Sequence, residues 1–304
     1  NEFSLPAGGL EKGETAVGAA TREAQEEVHI NVKNVRETGC DYCECHTEVK
    51  DWVKENVPEE EWWYHYYTCL CIGEYDSEYE GNCDFTNVTN GIRSTATRKL
   101  NEFDIFIRRN DALSIVKKIL SKKEKTLAMN GGCSPQTPYG FLSTFEGTEK
   151  KTKENDCEIL TSKGWRFVER DLVTKSRDTI DKFKPMISKL TCEHAGTPDK
   201  NGMYRVLSRM ELLKPGQICS QSYLTVCPQE TEQNAINVYN YLRTKFVRFL
   251  IQWTLTGMNM SIENFNFVPW LDFSESWDDK KLYSRYGLDE KEINVIESVI
   301  REMN

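Results

Sequence analysis

The run Gly8-Gly9-Leu10-Glu11-Lys12-Gly13-Glu14 leads into Arg22-Glu23-Ala24-Gln25-Glu26-Glu27, a glycine loop ahead of a segment dense in carboxylates. If that segment is a helix, at about 100° per residue, Glu23, Glu26 and Glu27 fall within one arc of about 100° and share a face. Val17, Ala24 and Val28 fall together roughly a quarter turn or more away and give the helix an apolar side to bury. Thr15 is placed to cap its start, and Arg22, one turn before Glu26, to hold a carboxylate in place. Anions gathered this closely repel one another unless a cation neutralises them, and Mg²⁺ takes carboxylate oxygens together with waters and substrate phosphates. A Glu-rich face that is merely solvated is the plain alternative, against which stands the order of the residues.

Gly8, Glu14, Arg22, Glu23, Glu26 and Glu27 fill every fixed position of the pattern glycine, five residues, glutamate, seven residues, arginine-glutamate, two residues, glutamate-glutamate. The segment therefore resembles the Nudix box of hydrolases acting on nucleoside-diphosphate-linked compounds. His29 stands where that pattern has glycine. The resemblance implies Mg²⁺, or Mn²⁺, as cofactor. Glu26 and Glu27 would be ligands, Glu23 a further ligand or a base, and the Gly8 carbonyl another ligand, with Arg22 and Glu14 orienting them. It also implies a nucleotide derivative as substrate, cut by a metal-activated water, the metal acidifying the water and absorbing charge on phosphate oxygens. Nudix enzymes often recruit one more acid from a later loop. Glu74, Asp76, Glu78 and Glu80 are candidates, although a charged turn after a strand explains any one of them more simply.

These residues need a sheet to hold them. Ile30–Val35 and Trp62–Ile72 read as strands on either side of a polar excursion that holds Val57-Pro58, in keeping with the mixed sheet that follows a Nudix box. Phe3 and Leu5 look like the end of a strand with partners upstream, so an N-terminally incomplete Nudix-like segment is expected over 1–85. Asn, Thr and Gly dominate the next stretch, and 86–98 is expected to be a linker. Beyond it, Phe103–Arg108 alternates as a strand does, and Asp111–Leu120 has helical spacing with Asp111 as its cap. Strand-like pieces follow at Trp165–Val168, Tyr204–Leu207 and Tyr223–Val226, then helices at about Glu232–Leu255 and Asp289–Met303. The predicted fold class is α+β: a partial Nudix-like mixed sheet with its box helix, then a separate α+β domain over 99–304.

Composition sets the bounds. In 304 residues, 38% hydrophobic and 29% charged, no apolar run reaches membrane-spanning length and no signal peptide is visible. Residues 1–98 carry 8 Lys or Arg against 20 Asp or Glu, whereas the remainder has a slight basic excess. An acidic first part suits a metal site, and a mildly basic second part could meet a polyanion. Eleven cysteines without a secretory segment suggest reduced thiols in a cytoplasm. Cys40, Cys43, Cys45 and His46, with Cys69 and Cys71 further on, have spacing open to zinc, and buried structural cysteines account for the second pair equally well.

Phe103–Arg108, Thr137-Pro-Tyr-Gly-Phe141, Tyr241–Phe246 with Arg248-Phe249, Phe267–Phe273, Trp277–Tyr286 and Ile296–Ile300 form a softer pattern. Through them the chain from about Lys99 to Asn304 resembles the C-terminal target-recognition part of adenine-specific DNA methyltransferases of restriction-modification systems. That implies double-stranded DNA and a methyltransferase catalytic domain as partners. The chain itself has no Asn-Pro-Pro-Tyr or Asp-Pro-Pro-Tyr quartet and no Phe-x-Gly-x-Gly loop, so neither methyl transfer nor S-adenosylmethionine binding is expected of it. Candidate DNA contacts are Lys163, Arg166, Lys182, Lys184, Arg205, Arg209, Arg243, Lys245 and Arg248, each of which has solvated surface as its simpler reading. Function thus divides into Mg²⁺-dependent hydrolysis by the first segment, with DNA recognition by the second, and a non-catalytic DNA-specificity portion lacking its catalytic core. A third reading is two segments joined by an accident of gene calling or assembly.

Overall fold

Thr15 opens the first helix: its hydroxyl oxygen accepts the Gly18 N–H at 3.1 Å and its carbonyl the Ala19 N–H at 2.9 Å. The computed structural model describes residues 13–28, 32–44, 65–75, 82–89, 92–99, 102–103, 105–129, 131–192, 198–255 and 257–303. The chain divides into two units, 1–81 and 82–304, and both mix helix and strand.

In the first unit, α1 (Ala16–Val28) buries Ala19 and Ala24 and exposes Gln25 and Glu26. Ala24 is buried as its spacing predicts and Val17 half-buried, whereas buried Ala19 falls on the side of Glu23 and Glu26. Gly13 precedes it at φ +86°, a conformation that favours glycine. Helix α1 lies against an antiparallel pair formed by β1 (Val32–Glu44) and β2 (His65–Tyr75). The register runs from Val32 opposite Tyr75 to Glu44 opposite His65, with irregularities between Lys33 and Arg36 and between Glu37 and Gly39. The strand expected to end at Val35 therefore continues to Glu44.

The second unit begins with a hairpin. Strand β3 (Asn82–Thr89) pairs antiparallel with β4 (Ile92–Lys99), Asn82 opposite Lys99 and Thr89 opposite Ile92, which corrects the linker expected at 86–98. The polar composition belongs to its exposed face, where the Thr86 and Thr95 hydroxyls meet at 2.8 Å and Thr97 Oγ1 donates to Asp84 Oδ1 at 2.7 Å. Threonine suits a pleated strand as well as a loop. The other face is tied down. Arg98, 3% exposed, donates to the Ile107 carbonyl at 2.6 Å and lies over the Phe85 and Phe106 rings, 5.1 and 4.3 Å from their centroids. The Asn110 amide donates to the carbonyls of Phe85 and Ser94 at 3.1 and 3.0 Å.

Other expectations fail locally for identifiable reasons. Phe103–Arg108 forms no strand among its described residues. Its apolar positions are spent on packing, Phe103 edge-on to Phe267 and Phe106 edge-on to Phe85. A 3₁₀ turn at Asn110–Ala112 leads into α2 (Leu113–Ser121), which Asp111 does not cap: its carboxylate accepts from Arg109, with Nη2 to Oδ2 at 2.7 Å. Tyr204–Leu207 is not a strand. Tyr204 makes one isolated bridge with Ile300, and Val206 at φ +71° breaks the extended run.

Two three-stranded sheets follow. In one, β5 (Cys157–Thr161) lies between β6 (Gly164–Val168), antiparallel, and β9 (Gln217–Cys219), parallel. In the other, β7 (Lys184–Ser188) lies between β8 (Met210–Leu213) and β10 (Tyr223–Thr225), both antiparallel. The long helix expected at 232–255 is two, α3 (Glu232–Arg243) and α4 (Lys245–Gln252). Thr244 sits between them at ψ 149°, donates to the Tyr241 carbonyl at 2.7 Å and accepts the Val247 N–H at 3.2 Å, so one hydroxyl ends one helix and starts the next. From α5 (Asp279–Tyr286), Asp279 accepts the Phe246 and Lys245 N–H groups at 2.8 and 3.1 Å. Last comes α6 (Glu290–Val299), started by a capping box between Asp289 and Glu292. Among the described residues no helix is long and apolar enough to cross a membrane.

Phe246, Val247, Phe249, Leu250 and Ile251 bury α4 in the larger core, and a smaller core gathers Ile159, Leu160, Met186, Leu213 and Ile218. Lys184 is wholly buried, and its amine donates to the Ile180 and Lys182 carbonyls, each at 2.9 Å. Burial lowers its pKa to about 8. A lowered lysine favours folding when neutral, so its contribution is present above the unfolded value and lost as pH falls through about 8. Relative to Lys184→Met, the wild-type chain is expected to gain stability between pH 8 and 10, on the order of 1 kcal/mol per pH unit. Urea unfolding of both proteins across that range checks it, and parallel pH profiles would refute it.

Candidate functional site

Arg22 organises the acidic end of α1. Its Nε and Nη2 donate to Glu14 Oε1 and Oε2 at 3.1 and 3.0 Å, a two-pronged bond reaching back to the residue before Thr15. Its Nη1 donates to Glu23 Oε1 at 2.6 Å and Glu26 Oε2 at 3.2 Å. One guanidinium thus draws together three of the acids that the sequence pattern singles out. Glu14 first and Glu23 second raise the Arg22 pKa still further, so the clamp stays charged at any working pH. Glu23 is 13% exposed and held, while Glu26 is 60% exposed at the open side.

The donor chemistry fits a hard divalent ion: carboxylate oxygens, with one arginine to hold them. The described carboxylates are gathered on Arg22 itself, and among the described residues no three His, Cys, Asp or Glu side chains form a metal cluster. Gly8 and the side chain of Glu27, ligands by resemblance, lie outside the described residues. Of the further acids, Glu74 stands opposite Lys33 near the end of β2, and Asp76, Glu78 and Glu80 lie outside the described residues. For zinc, the backbone sets Cys40 opposite Cys69 and Cys43 opposite Tyr66. Cys45, His46 and the side chains of the other candidate cysteines are outside the described residues.

The cations expected to meet DNA are distributed otherwise. Arg248, 1% exposed, is corrected from surface contact to buried strut: its Nε donates to the Arg243 and Thr244 carbonyls at 3.0 and 3.3 Å and its Nη1 to the Arg205 carbonyl at 3.0 Å. Lys184 is buried as well. Lys245 is 11% exposed and paired with Glu297 and, at 2.8 Å, Glu302, and half-buried Arg243 donates to the Met303 carbonyl at 2.7 Å. Lys163 pairs with Glu146, Lys182 with Glu230 at 3.0 Å, and Arg209 with Glu211. Half-buried Arg166 donates to the Trp165 carbonyl at 2.9 Å, and Arg205 is half-buried. Helical spacing placed Lys245 and Arg248 on one face, but α4 has almost no solvent face to offer.

Sequence reasoning passed over Lys122, Lys280 and Lys281, which line an open groove of about 790 Å³ with Trp277 and Arg285. The signal was the lysine pair following Trp277 within a segment read only as a structural pattern. Replacing Arg248 with methionine is expected to lower stability by about 1–3 kcal/mol, because buried carbonyls lose their donor. Denaturant titration checks it, and an unchanged midpoint would show that Arg248 carries no structural weight.

Comparison with curated proteins gave no match, and neither did comparison with solved structures. Residues 1–88, less than a third of the chain, match the family model for the NUDIX domain. That span, which matches the NUDIX domain model, holds the Arg22 cluster, both strands beside α1 and nearly all of β3.

Proposed function

We propose that the NUDIX segment hydrolyses a diphosphate linkage in a nucleoside-diphosphate derivative, using Mg²⁺ or Mn²⁺. The observation that carries this reading is the bonding of Arg22 to Glu14, Glu23 and Glu26 within a segment that matches the family model. Glu26 and Glu27, with the Gly8 carbonyl, would hold the ion, and Glu23 would be a further ligand or a base. When bound, the metal supplies an acidified water and neutralises charge on the diphosphate. Arg22 would keep Glu23 in place, and its bond to Glu14 puts the residue just before the helix cap on the same support. A cytoplasmic setting belongs to the same proposal: the described cysteines Cys83, Cys133, Cys157, Cys192, Cys219 and Cys227 are free thiols.

For residues 99–304 we keep duplex recognition on behalf of a methyltransferase as a second proposal. Its support is the sequence resemblance, with Lys163 and Arg166 flanking Trp165, an aromatic 38% exposed on β6. Specific duplex binding that weakens with salt would sustain it, and indifference to sequence would remove it.

The hydrolase reading is tested with the full chain, Mg²⁺ and a panel of nucleoside triphosphates, nucleotide sugars and dinucleoside polyphosphates. Release of nucleoside monophosphate or inorganic phosphate is expected, stopped by chelator. Glu26→Gln should lower kcat by about a hundredfold or more, as loss of a charged ligand does. Turnover unaffected by Glu26→Gln and Glu27→Gln, or no turnover of any compound by folded protein, would overturn the assignment.

A further inference from the structure

The groove at the start of α5 is a concentration of positive charge in a chain whose net charge is −9. Lys122 approaches from the end of α2, and Lys280, Lys281 and Arg285 lie on α5. Asp278 also lines it, but its carboxylate accepts the Lys281 N–H at 2.7 Å and serves as the α5 cap. Lys122 and Lys280 are exposed and, among the described residues, make no ion pair. Lys281 spends one donor on the Ser276 carbonyl at 2.7 Å, which leaves an ammonium two more.

The aromatic partner is Trp277. Its Nε1 donates to the Asp272 carbonyl at 2.9 Å, and the Arg285 guanidinium lies 5.3 Å from its ring centroid. Arg285 in turn is bonded to Glu124. The indole is therefore held from two sides, and it lines the groove together with the three lysines. Lysine ammoniums neutralise phosphate, and an indole fixed beside them offers a planar apolar surface to a heterocyclic base.

We propose that this groove binds a nucleotide unit, its phosphate on Lys122, Lys280 and Lys281 and its base against Trp277. The site is independent of the NUDIX segment and shares no residue with the cations considered for duplex DNA. A nucleotide unit comes either free or as part of a single strand, and the openness of the groove to solvent admits both.

The test uses the full chain in EDTA, which suppresses metal-dependent binding and turnover at the NUDIX segment, with ADP and a fluorescein-labelled dT10 as separate probes. Lys122→Glu with Lys280→Glu changes two exposed side chains, and an unchanged thermal melt verifies the fold. Binding of either probe is expected to quench tryptophan fluorescence, and Trp277→Phe should remove that quench. In the double variant, affinity should fall about tenfold or more. For dT10 the slope of log affinity against log salt should also shrink by about 1.4, since each phosphate contact on a single strand contributes about 0.7. ADP and dT10 bound alike identify a free nucleotide site, and dT10 alone identifies a strand site. Binding of neither, or binding that the double variant leaves intact, overturns the proposal. Because no metal is present, this failure is distinct from failure of the hydrolase reading.

Discussion

The Arg22 guanidinium is the constraint on which the first unit's chemistry rests. Glu14 stands just before the helix and Glu23 and Glu26 lie about two to three turns along it, and without a cation between them like-charge repulsion would drive them apart. Arg22 bonds to all three, and its two-pronged bond to Glu14 crosses the helix start that Thr15 caps. One positive charge against three negative leaves the group doubly negative, the charge that a divalent ion balances. Arginine suits the position because its planar fork reaches separate carboxylates at once, and lysine would offer a single point of attachment.

Cations in the second unit are handled differently. Arg98, Lys184 and Arg248 are all nearly or wholly buried, and each donates to backbone carbonyls. Carbonyls satisfy buried donors without a second ion, which avoids withdrawing a matched pair of charges from water. Arg248 is the extreme case: α4 is apolar on nearly every side, so its one interior cation has no route to solvent and instead ties the end of α3 to the segment around Arg205. Asp279, whose own pKa burial raises, secures the same helix by accepting its first two free N–H groups.

Legibility in the sequence followed the range of the interaction involved. The box helix, its cap and the acids facing Arg22 depend on residues within about four turns of one another, and spacing alone locates them. The extended character of parts of β1 and β2, though not their pairing, and the helix α6 were visible for the same reason. What spacing missed depends on distant partners: the break at Thr244 has no glycine or proline to announce it, Asp111 is diverted by Arg109, and the apolar alternation of Phe103–Arg108 is consumed by Phe267 and Phe85. The cations of α3 and α4 looked available because a helical wheel does not show that a helix is surrounded.

The hairpin β3–β4 shows why a family boundary and a structural boundary can differ. The NUDIX match runs to residue 88, whereas the first unit ends at 81, and all of β3 but Thr89 falls between the two. A strand is assigned by what satisfies its backbone and buries its inner face. For β3 the ladder partner is β4, the Phe85 carbonyl accepts from Asn110, and the Phe85 ring is covered by Phe106 and Arg98. Every one of these partners lies beyond residue 88. The sequence pattern of β3 therefore follows the NUDIX model while its hydrogen bonds and packing follow the second unit, and its polar, threonine-rich face, which made it look like a linker, is the solvent side of a strand already paired.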